Sequence, residues 1–149
     1  MRAEDILSGS EKTLIMEAIR EAETNTSGEI RVHVEDHCPI PKVFDRATEV
    51  FSILGMHKTA ERNGVLFYLA LKDHQFSILG DEGINTKVPA NFWEEIKDHM
   101  QKQFRDHNFT EGLCEGILMA GQQLKHHFPY KRDDRNELPN DISFGGKHA

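Results

Sequence analysis

Residues 59–81 read TAERNGVLFYLALKDHQFSILGD, and this stretch decides the fold. Val65 to Leu71 is apolar at every position, the pattern of a strand covered on both faces. The cluster Lys72-Asp73-His74 turns the chain, and Phe76, Ile78 and Leu79 carry it back as a second strand. A hairpin puts its turn at one end, so Arg62-Asn63-Gly64, which enters the first strand, meets Gly80-Asp81, which leaves the second. A guanidinium, an amide and a carboxylate are thereby expected in one small region.

Working outward, Ser10 suits the cap of a helix with Leu14, Ile15, Ala18, Ile19 and Ala22 at helical spacing. Glu29 to Glu35 alternates strictly, with Ile30, Val32 and Val34 on one face and Arg31 and His33 on the other, which predicts a strand buried on one side only. Pro41 fits the first turn of a second helix carrying Val43, Ala47, Val50 and Phe51. A third helix follows Pro89, with Phe92, Ile96, Met100 and Phe104 on one stripe, and Thr110 suits the cap of a fourth with Leu113, Ile117, Ala120 and Leu124. The strand-helix-strand portion predicts a parallel crossover. The expected fold is therefore α/β: a three-layer α/β/α sandwich with a small mixed sheet, helices on both faces, and one domain over residues 1–128. Residues 129–149 are polar and contain Gly and Pro, and read as a flexible tail with Leu138, Ile142 and Phe144 as its sizeable apolar side chains.

With 149 residues the chain is long enough for one hydrophobic core. Its 25 Asp and Glu against 18 Lys and Arg argue against attraction to nucleic acid or anionic lipid. Cys38 and Cys114 lack CxxC spacing, which points to reduced thiols in a cytoplasmic protein. Acids interrupt the N-terminal apolar residues, so a secretory signal is not expected, and no apolar run reaches the roughly 18 residues of a spanning helix.

Two ends of the predicted sheet hold the chemistry. At the arginine end, Arg62 supplies a fork of donors, Ser27 and Asn63 supply polar groups, and Glu29, Asp81 and Glu82 supply carboxylates, with Gly64 and Gly80 allowing backbone to approach a ligand. Asp81 equally suits a turn acceptor and Arg62 a loop-stitching ion pair. The carboxyl end of the parallel strands, where open α/β sheets bind ligands, gathers Glu35, Asp36, His37, Cys38, Asp73 and His74. There His33, Glu35 and His37 suit either a transition-metal set or a solvated face.

SGEIRVHV at 27–34, TAERNGVLFYLALKDHQFSILGDEGI at 59–84, Trp93 and FTEGLCEGI at 109–117 resemble the TPM-domain family, over most of residues 10 to 128. The resemblance implies an α/β/α sandwich and, for some members, a phosphatase role. No CxxxxxR, DxD or GxxxxGK phosphatase signature accompanies it. Catalysis is therefore expected as cation-assisted phosphomonoester hydrolysis. Asp81, Glu29 and Glu82 would hold Ca2+ or Mg2+, Arg62 would clamp a phosphorylated small molecule or protein, Ser27 and Asn63 would orient it, and Asp73 is the reserve carboxylate. The alternative is a non-catalytic protein-interaction or divalent-ion-binding module that takes a protein partner through the tail.

Overall fold

The computed structural model describes residues 3–129 and 142–145. Among them the chain order is α1 (Ala3–Ile6), α2 (Gly9–Glu23), β1 (Glu29–Glu35), α3 (Val43–Ile53), β2 (Gly64–Ala70), a 3-10 turn (Leu71–Asp73), β3 (Gln75–Gly80), α4 (Glu82–Asn85), α5 (Phe92–Arg105), α6 (Phe109–His127) and β4 (Ile142–Phe144). The four strands form one mixed sheet in the order β3-β2-β1-β4. β1 and β2 run parallel in register from Glu29 opposite Gly64 to Glu35 opposite Ala70, and β3 returns antiparallel with Gly80 opposite Val65. The hairpin and the parallel crossover are both present as read.

Strand alternation divides the side chains between two cores. Ile30, Val32 and Val34 of β1 and Val65, Phe67 and Leu69 of β2 pack with Ile15 and Ile19 of α2, Ile96 and Met100 of α5, and Leu113, Ile117 and Leu124 of α6. Leu66, Tyr68 and Ala70 turn the other way, onto Ala47, Val50 and Phe51 of α3 and onto Met56. Helices on both faces make β2 buried at all seven positions and explain its unbroken apolar run.

Local signals shift some helix starts. Ser8, not Ser10, caps α2, because Glu11 stands three residues after it and closes a capping box: Ser8 Oγ accepts the Glu11 amide and Glu11 Oε1 accepts the Ser8 amide at 3.0 Å. Asn108 precedes α6, while the Thr110 hydroxyl donates instead to Glu11 Oε2 at 2.6 Å and ties α6 to α2.

Two expectations change more. β1 is not half-solvated: Glu29, His33 and Glu35 are buried as fully as its apolar face, with Arg31 alone intermediate. The polar side of the strand lies against α3 and a flanking strand instead of water. That flanking strand comes from the segment read as a flexible tail. Residues 142–144 pair with β1 in parallel, Val32 opposite Ile142 and Val34 opposite Phe144, and the Gly145 amide donates to Val34 O at 2.9 Å. Ile142 is buried in the main core and Phe144 packs against it, so these side chains serve the chain's own sheet. The remainder of the tail, 130–141 and 146–149, with Leu138, lies outside the described residues.

Candidate functional site

The arginine end assembles from three loops. Arg62 stands in left-handed backbone (φ 51°) just before β2, and Asp81 just after β3. Their side chains meet as a bidentate pair: Arg62 Nε donates to Asp81 Oδ2 at 2.7 Å and Nη2 to Oδ1 at 2.9 Å. Nη1 donates to Glu82 Oε1 at 3.1 Å. Asp81 also caps α4, its Oδ1 accepting the Glu82 amide at 2.8 Å. Both readings of this residue therefore hold at once, as loop stitch and as turn acceptor. The Asp81 bonds raise the Arg62 guanidinium above its ordinary pKa. Beside this pair, the Ser27 hydroxyl donates to Glu61, and Asn63 Nδ2 donates to Ser27 Oγ at 3.2 Å.

Glu29 goes elsewhere. It is buried and hydrogen-bonded to the side chain of Glu23, which also accepts the Ile30 amide at 2.7 Å. Burial pushes the Glu23 carboxyl up to about 8, and the neighbouring Glu29 charge adds to the effect. The two glycines also have protein neighbours. A Cβ on Gly80 would run into the Trp93 ring, and one on Gly64 would lie 3.2 Å from the Met56 carbonyl, so what approaches each backbone is packing.

The carboxyl end divides into two clusters. Asp73 Oδ1 lies 2.7 Å from His37 Nδ1, and its Oδ2 accepts the Cys38 amide at 2.6 Å; the His37 bond is the main cause of a lowered Asp73 pKa. Deeper in, Glu35 accepts from Tyr68 Oη at 2.6 Å and from Arg46 through Nε at 3.2 Å and Nη2, with His33 Nε2 at 3.2 Å. His33 Nδ1 in turn lies 2.7 Å from Ser143 Oγ of β4. Burial opposes the Glu35 charge, but the bonds from His33, Arg46 and Tyr68 outweigh it and hold the carboxyl at about 2. Burial and the Glu35 bond raise Tyr68, and the Glu35 bonds raise Arg46.

His33 and Glu35 thus join one buried network while His37 pairs with Asp73 outside it. Among the described residues, no three His, Cys, Asp or Glu side chains come together as ligands of a metal ion would. Asp81 and Glu82 share one guanidinium and Glu29 is bound to Glu23, so as placed this trio does not form a cation cage. Sequence reasoning did not single out Arg46 or Tyr68. Their signal was slight: a polar residue within the helix that covers Glu35, and a hydroxyl-bearing ring in an otherwise hydrocarbon strand.

The sandwich has counterparts among known proteins. The chain belongs to the TPM-domain family, whose model matches residues 1–123. It is similar to the BA42 protein of the psychrophilic bacterium Bizionia argentinensis, solved by NMR, with 49% identity, 93% of this chain and 95% of that one covered, and a TM-score of 0.86. Two further solution structures share the fold. The N-terminal domain of a P. gingivalis protein is 21% identical, with 85% and 83% covered and a TM-score of 0.66. That of cg2496 from Corynebacterium glutamicum is 12% identical, with 91% and 79% covered and a TM-score of 0.63. No curated protein matches the chain. Among the described residues no helix is long and apolar enough to cross a membrane.

Proposed function

We propose that this TPM domain is a binding module rather than a hydrolase. One observation carries the reading: Asp81 and Asp73, the carboxylates that hydrolysis would use, both accept hydrogen bonds from the protein's own donors on both oxygens. Both Asp81 oxygens accept from Arg62 and one also caps α4. Asp73 is taken by His37 and Cys38, and Glu35 by Arg46 and Tyr68. A general base needs a proton-accepting position turned toward substrate. These groups instead hold loops and strands in place, the commonest use of such ion-pair networks outside active sites.

The second reading is phosphomonoester hydrolysis at the arginine end, and exposure favours it. The Arg62 side chain is 40% exposed and that of Glu82 71%, so this pair stands open to a phosphate ester and offers a guanidinium to its oxygens. Arg62 would bind the phosphate oxygens, with Ser27 and Asn63 alongside. Phosphate release from an aryl phosphate, with and without Mg2+ or Ca2+, separates the readings. A binding module releases none above the buffer blank. Release that disappears in Asp81→Asn would establish hydrolysis at this end, and release that disappears only in Asp73→Asn would move it to the other.

A further inference from the structure

A cavity of about 330 Å³ opens where β2 leaves the sheet, at the end of the parallel strands opposite Arg62. Its size lies within the usual range for small-molecule sites, and its place is the carboxyl end at which α/β sheets bind ligands. One wall is aromatic: the Phe76 and Phe104 rings meet edge to face at 5.0 Å, and Phe104 and Phe109 stack at 5.1 Å. Four polar side chains also line it, Gln75 and the three ionisable groups Glu11, His74 and His107.

Each ionisable group is placed by a specific local feature. Glu11 is the capping-box carboxylate, with one oxygen accepting the Ser8 amide and the other the Thr110 hydroxyl. A carboxylate has about four acceptor positions, so these bonds do not saturate it. The Ser8 amide bond lowers the Glu11 pKa, which keeps the group charged. His74 and His107 both sit in left-handed backbone, at φ 54° and 63°, one after the hairpin turn and the other after α5. Such conformations cost an L-residue about 1 kcal/mol or more where glycine would adopt them freely, and they concentrate at ligand sites. Both positions carry an imidazole.

We propose that this cavity binds an aromatic α-amino acid or a small zwitterion of that shape, its ring against Phe104 and Phe109, its ammonium on Glu11 and its carboxylate on the His74 and His107 imidazoles. The complementarity is one negative group and two N–H donors around an aromatic wall. The proposal names a ligand class for the binding-module reading, on which it rests. Phosphate release tests that reading and a titration tests this one, so either can fail without the other.

The experiment is an NMR titration of the full chain with L-tryptophan, following backbone amides. Saturable shifts at Phe76, His107 and Phe109 with a Kd on the order of 0.1–1 mM are expected for a ligand of this size. The double variant His74→Gly/His107→Gly keeps the left-handed backbone and removes both imidazoles. It should retain or gain thermal stability while weakening binding at least tenfold (roughly). Glu11→Gln, which can still accept the Ser8 amide, should weaken it likewise. Absence of saturable shifts at about 10 mM ligand, or unchanged affinity in these variants, overturns the proposal.

Discussion

Arg62 with Asp81 and Arg46 with Glu35 are the same chemical object at opposite ends of one sheet, a guanidinium held in a fork by a carboxylate. Their surroundings differ. The Arg46 side chain is 7% exposed and that of Glu35 2%, with Tyr68 and His33 completing the shell, whereas 40% of Arg62 faces water. The inner pair is structural because Glu35, 2% exposed, has no water to replace Arg46, while Arg46 also donates through Nη1 to the half-exposed Glu49 at 3.2 Å. The outer pair is open on its cation side only: Arg62 faces water, while the Asp81 side chain is 6% exposed. Burial, more than the identity of the pair, therefore determines which end can respond to a ligand.

The sharpest way to break this comparison is to remove the inner cation. Arg46→Met leaves Glu35 buried without its partner, and stability should fall by about 3–5 kcal/mol in urea unfolding. The double variant Arg46→Met/Glu35→Leu removes both charges and should recover most of that loss. A single variant within about 1 kcal/mol of the parent would mean that water reaches Glu35 and that the two ends are alike.

The sequence displayed one of these ends more plainly than the other. Arg62 and Asp81 flank a hairpin, so strand pairing alone predicts their meeting, and the two do meet. The Arg46 to Glu35 contact crosses from a helix to the strand before it, and strict alternation in β1 argues for solvent on the Glu35 side. What reverses that reading is coverage by α3 together with β4. A three-residue strand inside a polar segment has too few positions for periodicity to register, and Ser143 gains its meaning only once it lies beside His33. The apolar layers were legible because burial imposes a period on many residues at once. The polar interior was not, because a buried acid and an exposed one look identical until their partners are known. For the same reason the Glu23 to Glu29 contact carried no advance signal.

That carboxyl pair, near the arginine end, sharpens the comparison through pH. In the folded protein Glu23 keeps its proton to about 8 against an ordinary 4.5, so its contribution is complete below about 4.5 and is lost as pH rises through about 8. Glu35 has the opposite sign: held at about 2, it contributes above about 4.5 and loses that contribution as pH falls toward 2. Each end of the sheet thus guards a different side of the stability curve. Between pH 5 and 8 the Glu23 slope approaches about 1.4 kcal/mol per pH unit at most. Glu23→Gln carries no ionisable proton and should flatten that decline, an effect read from urea midpoints at successive pH values. Parallel slopes in parent and variant would remove Glu23 as its source.

The smallest effect is expected at the outer pair, and salt identifies it. Arg62→Met leaves Asp81 still accepting the Glu82 amide and removes a cation that faces water, so the cap of α4 survives and the shift in urea midpoint should be a small fraction of that for Arg46→Met. Whatever difference remains should vanish near 1 M NaCl, where the screening length falls to about 3 Å, while the Arg46→Met deficit persists because ions do not enter that interior. A salt-insensitive Arg62→Met deficit would place the outer pair in the same class as the inner one. An open edge would then no longer distinguish the arginine end, and the case for hydrolysis there would lose its support.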